Sequence, residues 1–107
     1  MKLTVGERLT LLGLLPDESN FAGVKEIFRL RTLLGLTDEE AKEIDVEPTG
    51  DGRIQWDNDK ALGMIADIPM GEWITEVVRG ELRDLDREYQ LRVEVMSLYE
   101  KFILDYE

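Results

Sequence analysis

The stretch GEWITEVVRGELRDLDREYQLRVEVMSLYEKFILDY, residues 71–106, decides the fold. Apolar residues recur at helical spacing from Trp73 through Ile74, Val77, Val78, Leu82 and Leu85. They resume at Leu91, Val95, Leu98, Tyr99, Phe102, Ile103 and Tyr106. A polar run, residues 86–90, interrupts the stripe. Two amphipathic helices joined by a turn are expected, each with an apolar face too wide to leave in water. Their faces need a third layer, which the N-terminal third supplies.

That third opens with Thr4 and Glu7 at capping-box spacing, which predicts a helix over residues 5–15 ended by Pro16. Its leucines at 9, 11, 12, 14 and 15 cover more than one face, as in a helix buried on two sides or used at an interface. The polar link 16–20 offers Ser19 or Asn20 as the next N-cap. A second helix, Phe21–Leu34, is expected to turn Phe21, Val24, Ile27, Phe28, Leu30 and Leu34 inward, with Lys25, Arg29 and Arg31 outside and Gly35 as a left-handed cap. Thr37 with Glu40 repeats the capping-box spacing before a short third helix, Asp38–Glu43.

At Ile44 the apolar period changes from near 3.6 to 2. Ile44 and Val46, the turn-rich residues 48–52, then Ile54 and Trp56 read as a β-hairpin. Two strands alone are marginal in water, so all four apolar residues are expected to face a helix. Residues 58–63 read as one helical turn capped by Asp57, and residues 65–70 as a further short strand limited by Pro69. The expected fold class is α+β: a mainly helical single domain, residues 1–107, of four to five helices with a small hairpin.

Composition narrows the chemistry. The 107 residues contain neither cysteine nor histidine. Disulfides, thiolate metal sites and imidazole-based acid–base or nucleophilic mechanisms are thereby excluded. No catalytic residue, no metal site and no cofactor is expected. Glu7 and Arg8 break the N-terminal leucine run, so no signal peptide is read there, and no apolar stretch approaches the ~20 residues that span a bilayer. A soluble intracellular protein follows as the expectation.

Net charge is −11, unevenly placed: residues 1–36 carry +1, residues 37–59 carry −7 and residues 60–107 carry −5. Such a field opposes direct binding to nucleic acid and to anionic membranes. The acidic segment, Asp38, Glu39, Glu40, Glu43, Asp45, Glu47, Asp51, Asp57 and Asp59, is the candidate partner-binding site, against the alternative of a plain solubilising face. Asp57-Asn58-Asp59 opens like a calcium loop, but Ala61, Leu62 and Ile68 stand where a ligand, the bend glycine and the bidentate glutamate belong. Gly50 and Gly52 lack the Lys-Ser/Thr pair of a phosphate loop. Arg79, Arg83 and Arg87, at four-residue spacing on the outer face of their helix, could hold an anionic ligand; intrahelical pairing with Glu76, Asp84 and Glu88 is the simpler reading.

The opening residues 1–9, the junction Leu14-Leu15-Pro16-Asp17-Glu18-Ser19-Asn20-Phe21 and the closing Ser97-Leu98-Tyr99-Glu100-Lys101-Phe102 resemble small accessory proteins encoded in bacteriophage and prophage genomes. That group has no assigned activity, so the resemblance transfers context and no functional residues. It implies a phage protein acting in the host cytoplasm or, alternatively, a piece of the virion. The sequence-level expectation is a non-enzymatic acidic inhibitor of a host defence protein. A virion assembly protein and an oligomeric sponge for a nucleotide signal are the alternatives. Val93 and Met96 lie off the main apolar stripe, which predicts a homo-oligomer.

Overall fold

Local signals start each of the first three helices. In the computed structural model, which describes residues 1–105, the Thr4 hydroxyl accepts from the Glu7 N–H and the Glu7 carboxylate from the Thr4 N–H, and α1 runs Val5–Leu14. The Asn20 side chain accepts from the Gly23 N–H to start α2, Phe21–Leu34. Thr37 and Glu40 close a second capping box before α3, Asp38–Glu43. Asp57 caps α4, Asn58–Ala61, by accepting from the Asp59 and Lys60 N–H groups.

The C-terminal stretch forms the expected pair. α5, Glu72–Arg87, ends where Tyr89 takes a left-handed φ of 58°, and the Gln90 N–H bonds back to the Leu85 carbonyl. A 3-10 turn, Val93–Val95, then α6, Met96–Tyr99, and a π turn, Glu100–Leu104, continue as one helical run. Tyr106, expected at the end of this stripe, lies outside the described residues.

α1 packs against α2 on one side and against the 3-10 turn and α6 on the other, while α5 packs against both α2 and the π turn. The four form a closed bundle. Leu11, Leu30, Leu34, Ile74, Val78, Leu82, Leu98 and Phe102 fill it. The breadth of the α1 leucine pattern therefore reflects burial on two sides.

Two short antiparallel pairs complete the fold. β2, Glu47–Pro48, pairs with β3, Ile54–Gln55, as Glu47↔Gln55 and Pro48↔Ile54. The hairpin is shallower than expected: Ile44 is buried, Val46 and Trp56 are half-buried, and Ile54 faces water. Asp45 adopts φ 54°, which turns the chain after α3 and spoils the simple alternation. The strand expected within residues 65–70 exists as β4, Ala66–Asp67, but its partner is β1, Lys2–Leu3, in the register Lys2↔Asp67 and Leu3↔Ala66. The terminal ammonium of Met1 anchors this pair on Asp67 Oδ1 at 3.0 Å and the Ile68 carbonyl at 2.9 Å.

Two expectations about α2 are corrected. Phe21, Val24 and Phe28 face water rather than the core, with Phe21 84% and Phe28 72% exposed. The core stripe is instead Gly23, Ile27, Leu30 and Leu34. Gly23 sets this rotation, because a Cβ there would lie 2.8 Å from Trp73 Cη2 and 2.0 Å from Ser19 Oγ. Gly35 is extended, at φ −62° and ψ 149°, rather than left-handed. The open carbonyls of Leu34 and Gly35 are taken by the Arg8 guanidinium, which removes the need for a left-handed turn.

The same comparison separates two helix glycines. A Cβ at Gly80 in α5 would meet nothing within 4 Å, so Gly80→Ala is expected to raise stability by about 0.5–1 kcal/mol. Gly23→Ala is expected to lower it by roughly 1 kcal/mol, because overpacking against Trp73 outweighs the propensity gain. Urea midpoints of the two variants should move in opposite directions.

Candidate functional site

The acidic segment spans α3, the hairpin and α4, and its nine carboxylates divide by what they touch. Glu40 is engaged inside the protein: Arg8 Nη1 donates to its Oε2 at 2.8 Å and Nη2 to its Oε1 at 3.3 Å, while its backbone partner is Thr37. Arg8 is only 3% exposed. Hydrogen bonds from Arg8 and the Thr37 N–H hold the Glu40 carboxyl down at about 2. Glu40 therefore belongs to the fold rather than to a partner surface.

Asp45 pairs with Lys60 at 2.5 Å, which draws α4 against the end of α3 and pushes the Lys60 pKa up. The Asp57 N–H donates to the Ile44 carbonyl at 2.7 Å and closes the same loop. Asp51 accepts from the Thr49 hydroxyl and the Arg53 N–H within the hairpin turn, and these bonds hold its carboxyl below the usual range. Asp57 is the half-buried cap of α4. Asp38, Glu39, Glu43, Glu47 and Asp59 remain: all five are exposed, and among the described residues none is in a salt bridge. With Arg8 and Lys60 docked on it, the −7 of the segment becomes −5.

The arginine set is arranged differently from the sequence expectation. Arg79 is not on an outer face; it is 9% exposed and donates to Glu76 at 2.9 Å. Arg87 pairs with Asp84, and Arg83 is exposed on the same helix. The intrahelical pairing read from the sequence thus holds for Arg79 with Glu76 and for Arg87 with Asp84.

A groove of about 780 Å³ runs between α1 and the turn after α5. Gly6, Thr10 and Gly13 line it from α1, Trp56 and Leu85 from its sides, and none of Arg79, Arg83 and Arg87 reaches it. Glu7, at its edge, is 6% exposed and accepts from Lys101 Nζ at 2.7 Å. Burial pushes the Glu7 carboxyl up, but hydrogen bonds from Lys101, the Thr4 N–H and Ser97 outweigh it, so the pKa lies below the ordinary value. Among the described residues no group of three or more acidic side chains is placed to hold a metal ion. No helix among them is long and apolar enough to cross a membrane.

Two apolar surfaces stand out here; sequence reading missed the first and reached only Val93 and Met96 of the second. One is the ridge of Phe21, Val24 and Phe28; the other is a hollow of about 360 Å³ lined by Leu91, Val93, Met96, Tyr99 and Leu104. The signal for the ridge was present, since positions 21, 24 and 28 form one helical stripe and 27, 30 and 34 another. Comparison with protein families, characterised proteins and solved structures finds no match to this chain.

Glu40 gives the site a pH signature. Its folded pKa of about 2 lies below the ordinary 4.5, so its contribution is complete above pH 4.5 and is lost as pH falls towards 2. With about a quarter of its side chain in water, the loss should be roughly 2 kcal/mol. Denaturant unfolding across this pH range should show that slope in the native protein and a reduced slope in Glu40→Gln.

Proposed function

We propose that this chain is a non-catalytic, phage-encoded binding protein that acts in the bacterial host by covering a basic surface of a host protein. The observation that carries the reading is the group of five exposed carboxylates, Asp38, Glu39, Glu43, Glu47 and Asp59, projecting from one segment whose other acids are paired with a cation, used as a cap or hydrogen-bonded within the hairpin turn. Carboxylates held in no salt bridge keep more of their long-range field, which steers association with a cationic partner and makes it fast and salt-dependent. A nucleic-acid-binding surface offers that chemistry, because the spacing of its cations is set by phosphates. A defence nuclease is the kind of host target meant.

A virion assembly role is the second reading, favoured by the exposed Phe21, Val24 and Phe28, which suit contact with other phage proteins. The nucleotide-sponge reading loses support, since Arg79 is buried and paired within its own helix.

Capture from the lysate of a phage-infected host distinguishes the two. With Glu39, Glu43 and Glu47 changed to Gln, a host partner bound at low salt should be lost at least tenfold, and the native complex should weaken in high salt. Glu40 stays native, because its replacement would disturb the fold. Capture of phage structural proteins alone, unchanged by the three substitutions, would favour assembly.

A further inference from the structure

The two unassigned apolar surfaces are of opposite shape and opposite charge. The α2 surface is convex: Phe21, Val24 and Phe28 stand proud of the helix, with Lys25 exposed between them. Arg29 pairs with Glu26 at 3.0 Å and Arg31 with Asp17 at 2.6 Å, which leaves Lys25 as the cation of this face. The C-terminal surface is concave, a hollow of about 360 Å³ lined by Leu91, Val93, Met96, Tyr99 and Leu104 together with Arg92 and Glu100. Val93 is 87% exposed, and Met96 and Leu104 are more than half exposed. Lys101 turns inward to Glu7 and the Lys2 carbonyl. Arg92, at its wall, lies 3.8 Å from Glu94, which leaves Glu100 at the hollow and, among the described residues, Asp105 beside it as negative charges.

We propose that copies of this chain associate head to tail, with the Phe21–Val24–Phe28 ridge of one copy seated in the Leu91–Met96–Leu104 hollow of the next. The occupant is a second copy because the chain carries both halves of the contact. A two-fold contact of ridge on ridge would set Lys25 against Lys25 and leave the hollow open. A two-fold contact of hollow on hollow would oppose Glu100 to Glu100 across an unfilled space. Only the unlike pairing fills the concave surface and matches the charges. Contacts between unlike surfaces do not saturate at two copies, so they build a ring or an open chain. Neither surface includes α3, the hairpin or α4, so this inference stands apart from the acidic segment.

Phe28→Asp removes the ridge and keeps the hollow, whereas Met96→Asp removes the hollow and keeps the ridge. Both positions are exposed, so native-like circular dichroism and melting are expected; Val24→Asp and Val93→Asp serve as second variants of the two surfaces. Light scattering at high micromolar concentration should show the native chain growing past the dimer mass. Each variant alone should be monomeric, and an equimolar mixture should form a one-to-one dimer and nothing larger. A monomeric native chain, a variant that dimerises alone, or a mixture that stays monomeric would each overturn the proposal.

Discussion

The Arg8 guanidinium is the interaction on which this structure depends. It leaves α1 and closes the C-terminal end of α2 by donating to the Leu34 and Gly35 carbonyls, then grips Glu40 of α3 with two nitrogens. A buried cation is tolerable only when its donors are filled, and here the end of α2 and the carboxylate of α3 supply the acceptors. Removing it would leave two helix-end carbonyls without this donor and the Glu40 carboxylate with only the Thr37 N–H. The planar fork also fixes direction: α3 must leave α2 at the angle that brings Glu40 to Arg8, and α3 in turn carries the hairpin.

Its neighbour Glu7 ties the opposite side. The carboxylate caps α1 through Thr4 and accepts from Lys101 in the π turn, while Lys101 also reaches the Lys2 carbonyl. Consecutive residues of α1 thus hold two different parts of the chain, Glu7 the C-terminal helix and Arg8 the α2–α3 junction. A central helix needs such opposed contacts, and the apolar core between them supplies the remaining stabilisation through burial.

These ties determine which charges are left for other molecules. Arg8 and Lys60 each neutralise one acid of the central segment, and what remains exposed is concentrated on α3 and the hairpin. Exposed apolar side chains stand together on α2 and on the C-terminal run, and Ile54 and Leu62 add single ones beside the acids. One surface suits steering by a field, and the others suit close packing.

Much of the fold was written locally. The two capping boxes, the Asn20 cap, the Asp57 cap, the bounds of α2 and α3 and the break after Arg87 all follow from residues three or four apart, whose interactions need no distant partner. The acidic segment was equally legible as composition. What the tertiary structure decided were the contacts between residues far apart in sequence. Arg8 and Glu40 are 32 residues apart, Glu7 and Lys101 are 94, and Met1 and Asp67 are 66. The rotation of α2 belongs to the same class, since two apolar stripes compete for the core and only the fit of Trp73 over Gly23 chooses between them. Helical periodicity reports that a residue could be buried; which stripe is buried depends on the neighbour that arrives, and no local pattern encodes that neighbour.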